Sequence, residues 1–529
     1  MRAAAAVILS AALAGALCAA PAAHAGWSAP ARPPGCATAL PSTLAPLIVF
    51  PSSGPQRRSG LGVLVWDAPR GCPSGSQGAG EAFGASLTAG DVPQRSRPLI
   101  SGAGDLAGVV AATGTTAGQV VVAGSASATM IPGWANRASE VKGADQPAGG
   151  GGALTEGRAV GAFSAPTSLG GPAASVSAFS GYLGDAVLAS VVHVRRREWG
   201  LAVRSQRHYS ESLTPPRLLL IGAAMPNAVA VTMDYRSDIL VVWARDREIY
   251  AREIANTGAV QALHRLGGAT VDPELRVLLS DDGRAIVAWR EQSTTLGKAT
   301  QTTIELSISG PNLSFHGVLP IERFRDPGGF APQVGSLRLI RLSSEAVMMA
   351  WTGMRARRYV VRASPVSLRR GAWAPVTIST PGEDALLADL VPGPHAEALA
   401  LWSAAPRLRA GGPDLRRRMI LAAGGHYAGA GEVSFAAPEV VSPPGPNGTP
   451  AAAIDPQTGN ALAAWVTLAG AARRDHVAYA VHTSTPLGMA SANAIPQGAL
   501  ACCLGLALPY ASIESSAIRI GTPLAACLK

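Results

Sequence analysis

Arginines recur at one kind of place in this chain. Arg195, Arg196 and Arg197 follow an apolar run. So do Arg355, Arg357 and Arg358, then Arg416, Arg417 and Arg418, then Arg473 and Arg474. Six such windows, residues 194–198, 244–248, 290–298, 352–358, 403–418 and 466–475, hold 17 Lys/Arg against 6 Asp/Glu. The whole 529-residue chain has a formal net charge of +10, so the remainder is close to neutral. Guanidinium groups gathered on one surface attract anionic polymers, with an affinity that falls as salt rises. Turns are exposed and collect charge in any case, so the same excess also fits a surface that binds nothing.

Other chemistry leaves thinner traces. There is no HExxH, no P-loop and no GxSxG elbow. Gly102-x-Gly104-x-x-Ala107 lacks the strand-turn-helix setting of a dinucleotide site, and no acid follows some twenty residues on. The histidines lack ligand spacing; His476 and His482 share one face of a strand, six residues apart. Asp234, Asp282 and Asp455 recur at turns. They have oxygens suited to calcium, but an Asp there more commonly caps its own turn backbone. A glycosidase needs two carboxylates facing each other, and the linear sequence pairs none. No catalytic residue, metal site or cofactor is assigned.

The elements that must position these residues are short strands. A unit of apolar run, polar turn and apolar run ending in Trp appears at Asn227–Trp243, Leu275–Trp289, Leu337–Trp351, Leu386–Trp402 and Pro450–Trp465, with Trp spacings of 46, 62, 51 and 63 residues. Three hairpins precede them, Pro46–Trp66, Leu106–Ala123 and Ala173–Val192, of which the second and third lack the Trp. Third strands are expected at Gly200–Gln206, Glu248–Ile254, Thr303–Ser309, Tyr359–Ser364, Met419–Ala423 and Val477–Thr483. One hairpin cannot bury both its faces, so repetition points to an all-β fold, a β-propeller of seven or eight blades. Trp243, Trp289, Trp351, Trp402 and Trp465 end apolar runs, which places them in packing between blades rather than on sugars. Residues 143–158, rich in glycine, read as a loop, and Pro443–Pro446 as a connector.

Residues 1–25 read as a signal peptide, with Arg2, an apolar stretch and Ala23-His24-Ala25 before the cleavage point. That implies a secreted protein, and no segment is long enough for a transmembrane anchor. Residues 26–45 read as extended, 46–483 as the propeller, and 484–529 as a tail that either supplies a closing strand or stays outside the pattern. Cys36 and Cys72 flank the first hairpin and are placed to form a disulfide in an oxidising exterior. Cys502, Cys503 and Cys527 leave an odd thiol.

Pro450–Trp465 (PAAAIDPQTGNALAAW), and next Leu275–Trp289, come nearest to a blade pattern that reads roughly apolar-Asp-x-x-Gly-x-apolar-Ala-Trp. In this the chain resembles secreted bacterial repeat β-propeller proteins of unassigned function, over residues 36–483 and most strongly from Asn227. Ala453-Ile454-Asp455-Pro456-Gln457-Thr458-Gly459 is distantly similar to quinone-binding propellers, though its Trp falls two residues late. Ser280-Asp281-Asp282-Gly283 is distantly similar to the turns of sialidases, though Gly283 directly follows Asp282. The resemblance implies a fold and an extracellular setting, and no activity. The expectation is a secreted, non-catalytic binding or scaffold module that engages anionic polysaccharide or cell-wall polymer through its arginines. The alternative is an extracellular glycan-active hydrolase or lyase with its site at the channel mouth. An exported chain without aromatics interleaved among its cations is a poor nucleic-acid binder.

Overall fold

The structure, a computed structural model, describes residues 26–483 apart from internal stretches, the longest of them 126–150. The expected signal peptide (residues 1–25), the tail (484–529) with Cys502, Cys503 and Cys527, and Arg196, Arg473 and Arg474 lie outside the described residues.

The described residues are all-β, with no helix of any length and so none that could cross a membrane. Their strands form eight antiparallel sheets in chain order, over residues 47–98, 107–172, 176–222, 228–268, 274–326, 337–377, 384–445 and 451–482. In most sheets four strands follow one another as neighbours; the sixth and seventh have a split outer strand, and the eighth has three strands. The first strand of each sheet touches the first strand of the next, and Ala451–Ile454 of the eighth touches Leu47–Val49 of the first.

The second strands explain why the apolar runs are continuous. In Ala285–Ser293, Ala285, Val287 and Trp289 pack toward the fourth sheet, while Ile286 and Ala288 pack toward the sixth. A strand covered on both faces loses polar alternation. Each tryptophan fills the seam with the sheet before it. Trp243 packs against the third sheet, Trp289 the fourth, Trp351 the fifth, Trp402 the sixth and Trp465 the seventh. All five are at most 1% exposed. Trp66 holds the same place in the first sheet and packs against the eighth.

Two expectations about connections change. Gly151–Arg158 is not loop but the third strand of the second sheet, hydrogen-bonded on both sides. Pro443 and Pro444 lie inside the strand Glu439–Gly445, at the sheet edge, where a missing N–H is tolerated.

The N-terminal segment lies along the outer strand of the eighth sheet through isolated bridges. Trp27, Ala31 and Thr38 bridge to His482, Tyr479 and His476. Ala37 O accepts from Val477 N at 2.7 Å, and Ala39 N donates to Asp475 O at 2.8 Å. The segment is also tied to the first sheet. Leu40 N donates to Asp67 O at 2.8 Å, and Trp66 Nε1 donates to Thr38 O at 3.2 Å. Cys36 and Cys72 form a disulfide across the same seam, with Cα atoms 5.8 Å apart.

At the opposite end of this seam, Thr458 Oγ1 and Asn460 Nδ2 of the eighth sheet each donate to Asp91 Oδ2 of the first at 2.9 Å. Asp91 is buried and left-handed, with φ of 60°. Burial, which outweighs the hydrogen bond from Asn460, raises its carboxyl to about 6, and the nearby charge of Asp455 adds to the rise. The folded pKa lies above the unfolded value of 3.8. Its contribution is therefore full at acid pH and is lost as pH rises through about 6. Asn is neutral at every pH and tolerates the left-handed backbone. Asp91→Asn is expected to stabilise the protein at pH 7 by about 1–2 kcal/mol, with the gain gone by pH 4. Urea midpoints at the two pH values check this; an equal effect at both would show that ionisation is not the cause.

Candidate functional site

Antiparallel strands put successive turns at alternate ends of a sheet. Glu274 pairs in register with Arg290, so the start of a first strand lies beside the end of the second, where the second-to-third turn begins. The ends also match between neighbouring sheets. Tyr235 N donates to Asp281 Oδ1 at 3.4 Å, and Arg341 Nη1 donates to the same atom at 2.8 Å, joining the first-to-second turn regions of three sheets.

The two ends differ in chemistry. First-to-second turns carry acids that serve the backbone. Asp234 Oδ1 accepts from Arg236 N at 2.9 Å and from Asp238 N at 2.8 Å. Burial raises its pKa to about 6, with the Asp238 and Asp281 charges adding to the rise. Asp282 accepts from Ser280 and from the backbone and guanidinium of Arg284. Asp234 and Asp282 thus cap turns. Gly283 and Gly459 have φ of 78° and 73° and supply the left-handed step these turns need. A cavity of about 630 Å3 opens at this end between the fifth and sixth sheets, among Arg284, His316, Leu319 and Arg369.

Second-to-third turns carry arginines. Arg195, Arg197, Arg355, Arg357, Arg416 and Arg417 are exposed and Arg358 is half-buried. Arg195 lies 4.0 Å from Glu198. Among the described residues the guanidinium groups of Arg197, Arg355, Arg357, Arg416 and Arg417 have no acidic partner. Arg418 departs from the expected surface position. It begins the strand Arg418–Gly429 on the same side as Ile420, which faces the eighth sheet, and is only 8% exposed.

The backbone at these turns is unusual. Asp246-Arg247 and Ala356-Arg357 are two-residue hairpin turns with φ of 54° and 64°, and 48° and 64°; Arg197 has φ of 76°. Mirror-type hairpin turns select Asn-Gly or Asp-Gly because both residues are left-handed. A side chain there costs about 1–2 kcal/mol. Arginine stands at this position in the third, fourth and sixth sheets.

At the inner ends of the fifth to seventh sheets lies a cluster not read from the sequence. Glu274 lies 2.7 Å from Arg276, 3.4 Å from Arg290 and 3.5 Å from Arg338. Arg338 also reaches Asp389 at 3.0 Å. Asp389 Oδ2 accepts from Ala452 N at 3.1 Å, so the cluster extends to the eighth sheet. Burial lowers the Arg276 pKa to about 10, partly offset by Glu274. Three guanidinium groups against two carboxylates leave one positive charge. The sequence did hold a trace, Leu275-Arg276-Val277-Leu278 and Leu337-Arg338-Leu339-Ile340, the same apolar-Arg pattern in consecutive first strands.

His476 and His482 do not form a pair of ligands. His482 is buried, lies 3.5 Å from Glu439 and meets the Trp27 ring edge-on at 5.4 Å. Burial lowers its pKa, against the pull of Glu439. Among the described residues no three His, Cys, Asp or Glu side chains are arranged to hold a metal.

No family model matches the chain, and no curated protein matches it. Solved structures do. A sialidase from Streptococcus pneumoniae is 12% identical, with a TM-score of 0.36 over 70% of this chain and 66% of that one. An ulvan lyase of a polysaccharide lyase family is 10% identical, with a TM-score of 0.40 over 86% and 94%. An α-L-arabinofuranosidase from Fusarium graminearum is 11% identical, with a TM-score of 0.34 over 71% and 93%. These neighbours act on glycans. At such identities and scores they assign no activity to this chain.

Proposed function

We propose that the eight sheets close into an eight-bladed, secreted β-propeller that binds acidic glycans through the face carrying the second-to-third turns. The observation that carries this reading is the left-handed arginine at hairpin tips. Arg197, Arg247 and Arg357 occupy backbone positions where glycine or asparagine is more stable. Backbone strain of this kind gathers at functional positions. Unpaired guanidinium groups then face water at the same end of several sheets, while the acids of the other end are absorbed in turns.

Arg197→Gly, Arg247→Gly and Arg357→Gly combined are expected to raise the unfolding midpoint or leave it unchanged. Retention on polygalacturonate resin at low salt should fall at least about tenfold, and wild-type retention should itself fall with salt. Neutral dextran serves as the control matrix. Wild-type protein that runs through polygalacturonate, or a variant retained as well as the wild type, would sink the reading.

A second reading, glycan cleavage, is favoured by one observation. Arg338 touches both Glu274 and Asp389, which brings two carboxylates from different sheets to one guanidinium at the inner strand ends. Release of new reducing ends from the same polymer, abolished by Glu274→Gln or Asp389→Asn, would establish it.

A further inference from the structure

Among the described residues Arg418 is the one buried arginine of the basic turns, and no counter-charge meets it. It is 8% exposed, and its Nε is buried without a hydrogen-bond partner. Among the described residues its guanidinium makes no hydrogen bond or ion pair. Two acids of the same sheet region are committed elsewhere. Asp384 holds Arg407 in two bonds of 2.8 and 3.0 Å, and Asp414 accepts from Arg416 N at 3.2 Å. A buried charge without a counter-charge is costly.

The seam between the fifth and sixth sheets shows what a balanced version contains. There Arg362, 7% exposed, lies 2.8 Å from Glu322, and Trp351 Nε1 donates to the same carboxylate. In the seam between the seventh and eighth sheets, Trp465 Nε1 likewise has no partner. One seam holds donors and a carboxylate. The other holds donors alone.

We propose that Arg418 forms the floor of a site for a small oxyanion, a carboxylate or sulfate group, in the seam between the seventh and eighth sheets. The backing is fixed. Asn447, 4% exposed, donates from Nδ2 to Arg418 O at 2.8 Å and to Pro443 O at 3.0 Å. The approach is basic, because exposed Arg416 and Arg417 precede Arg418 on the same turn. Burial lowers the Arg418 pKa to about 10, the direction expected of a cation lacking its counter-ion. The anion comes either free from solution or as a pendant group of the polysaccharide proposed above. Only the second source rests on that reading.

The test is thermal unfolding of the full chain at fixed ionic strength, with chloride exchanged for sulfate and, separately, for glucuronate. The midpoint of the wild type should rise with sulfate, glucuronate or both. Arg418→Met should unfold at a higher temperature than the wild type without anion and lose the response. Arg418→Lys, which keeps the charge and covers the case of a Met variant that does not fold, should bind at least about tenfold more weakly. Arg416→Ser with Arg417→Ser should keep the glucuronate or sulfate response. A response to sulfate alone assigns a free ion. A response to glucuronate, with weaker polygalacturonate retention in Arg418→Lys, assigns the polymer. A wild type unmoved by both anions, or Arg418 variants that respond as the wild type does, would overturn the proposal. Polygalacturonate retention by the wild type would then stand or fall separately.

Discussion

Trp351→Ala is expected to destabilise the protein by about 4–5 kcal/mol, at the upper end of large-to-small core substitutions. Trp351 is fully buried between the fifth and sixth sheets. Its loss leaves a cavity bounded by strands on both sides, which cannot collapse freely. It also removes the indole donor to Glu322 and the ring face 5.8 Å from the Arg362 guanidinium. Trp402 provides the comparison. It is equally buried, but its Nε1 has no hydrogen-bond partner. Trp351→Phe should therefore cost about 1–2 kcal/mol for the lost charge-assisted bond, while Trp402→Phe should cost less. Chemical denaturation of the three variants checks both orders. Equal costs for the two Phe variants would mean that the Glu322 bond adds nothing to packing.

The second large effect concerns the seam that joins the last sheet to the first. Cys36→Ser with Cys72→Ser is expected to cost about 3–4 kcal/mol, from a sequence separation of 36 between the bridged residues. The loss should be local before it is global. Amide exchange should accelerate first in residues 27–40 and in His476–His482, which hold each other. Reducing agent should shift the wild type by the same amount and leave the variant unmoved. Uniform acceleration across all eight sheets would show that the bridge does not single out this seam.

The Trp-bearing units were legible because a strand covered on both faces must be apolar throughout, and a bulky terminal residue marks its end. Leu337–Trp351 and Pro450–Trp465 therefore stand out without any structure. The strand Gly151–Arg158 did not, since GGALTEGR has little strand preference of its own; its neighbours Gln119–Ser125 and Thr167–Pro172 impose the conformation. Arg418 was counted with Arg416 and Arg417 because adjacency in sequence says nothing about strand parity. The first residue of a strand points into the seam or out of it according to its partners. Glu274, Arg290, Arg338 and Asp389 were illegible as a group for a simpler reason. They come from three sheets, and only the lateral contact of first strands brings them together.

The pairing of Ser28 with Val481 spans 453 residues. A nascent chain holding residues 27–38 lacks their partners in residues 475–482 until nearly all the remaining strands exist. Its contacts with the first sheet, Leu40 N to Asp67 O and Trp66 Nε1 to Thr38 O, have their partners early, while its bridges to His476–His482 wait for the last sheet. The segment therefore meets its partners in the last sheet only after the residues of the other seven sheets have been made. A ribosome that stalls before residue 482 would release a chain with every other sheet built and one flank still open to association with another copy.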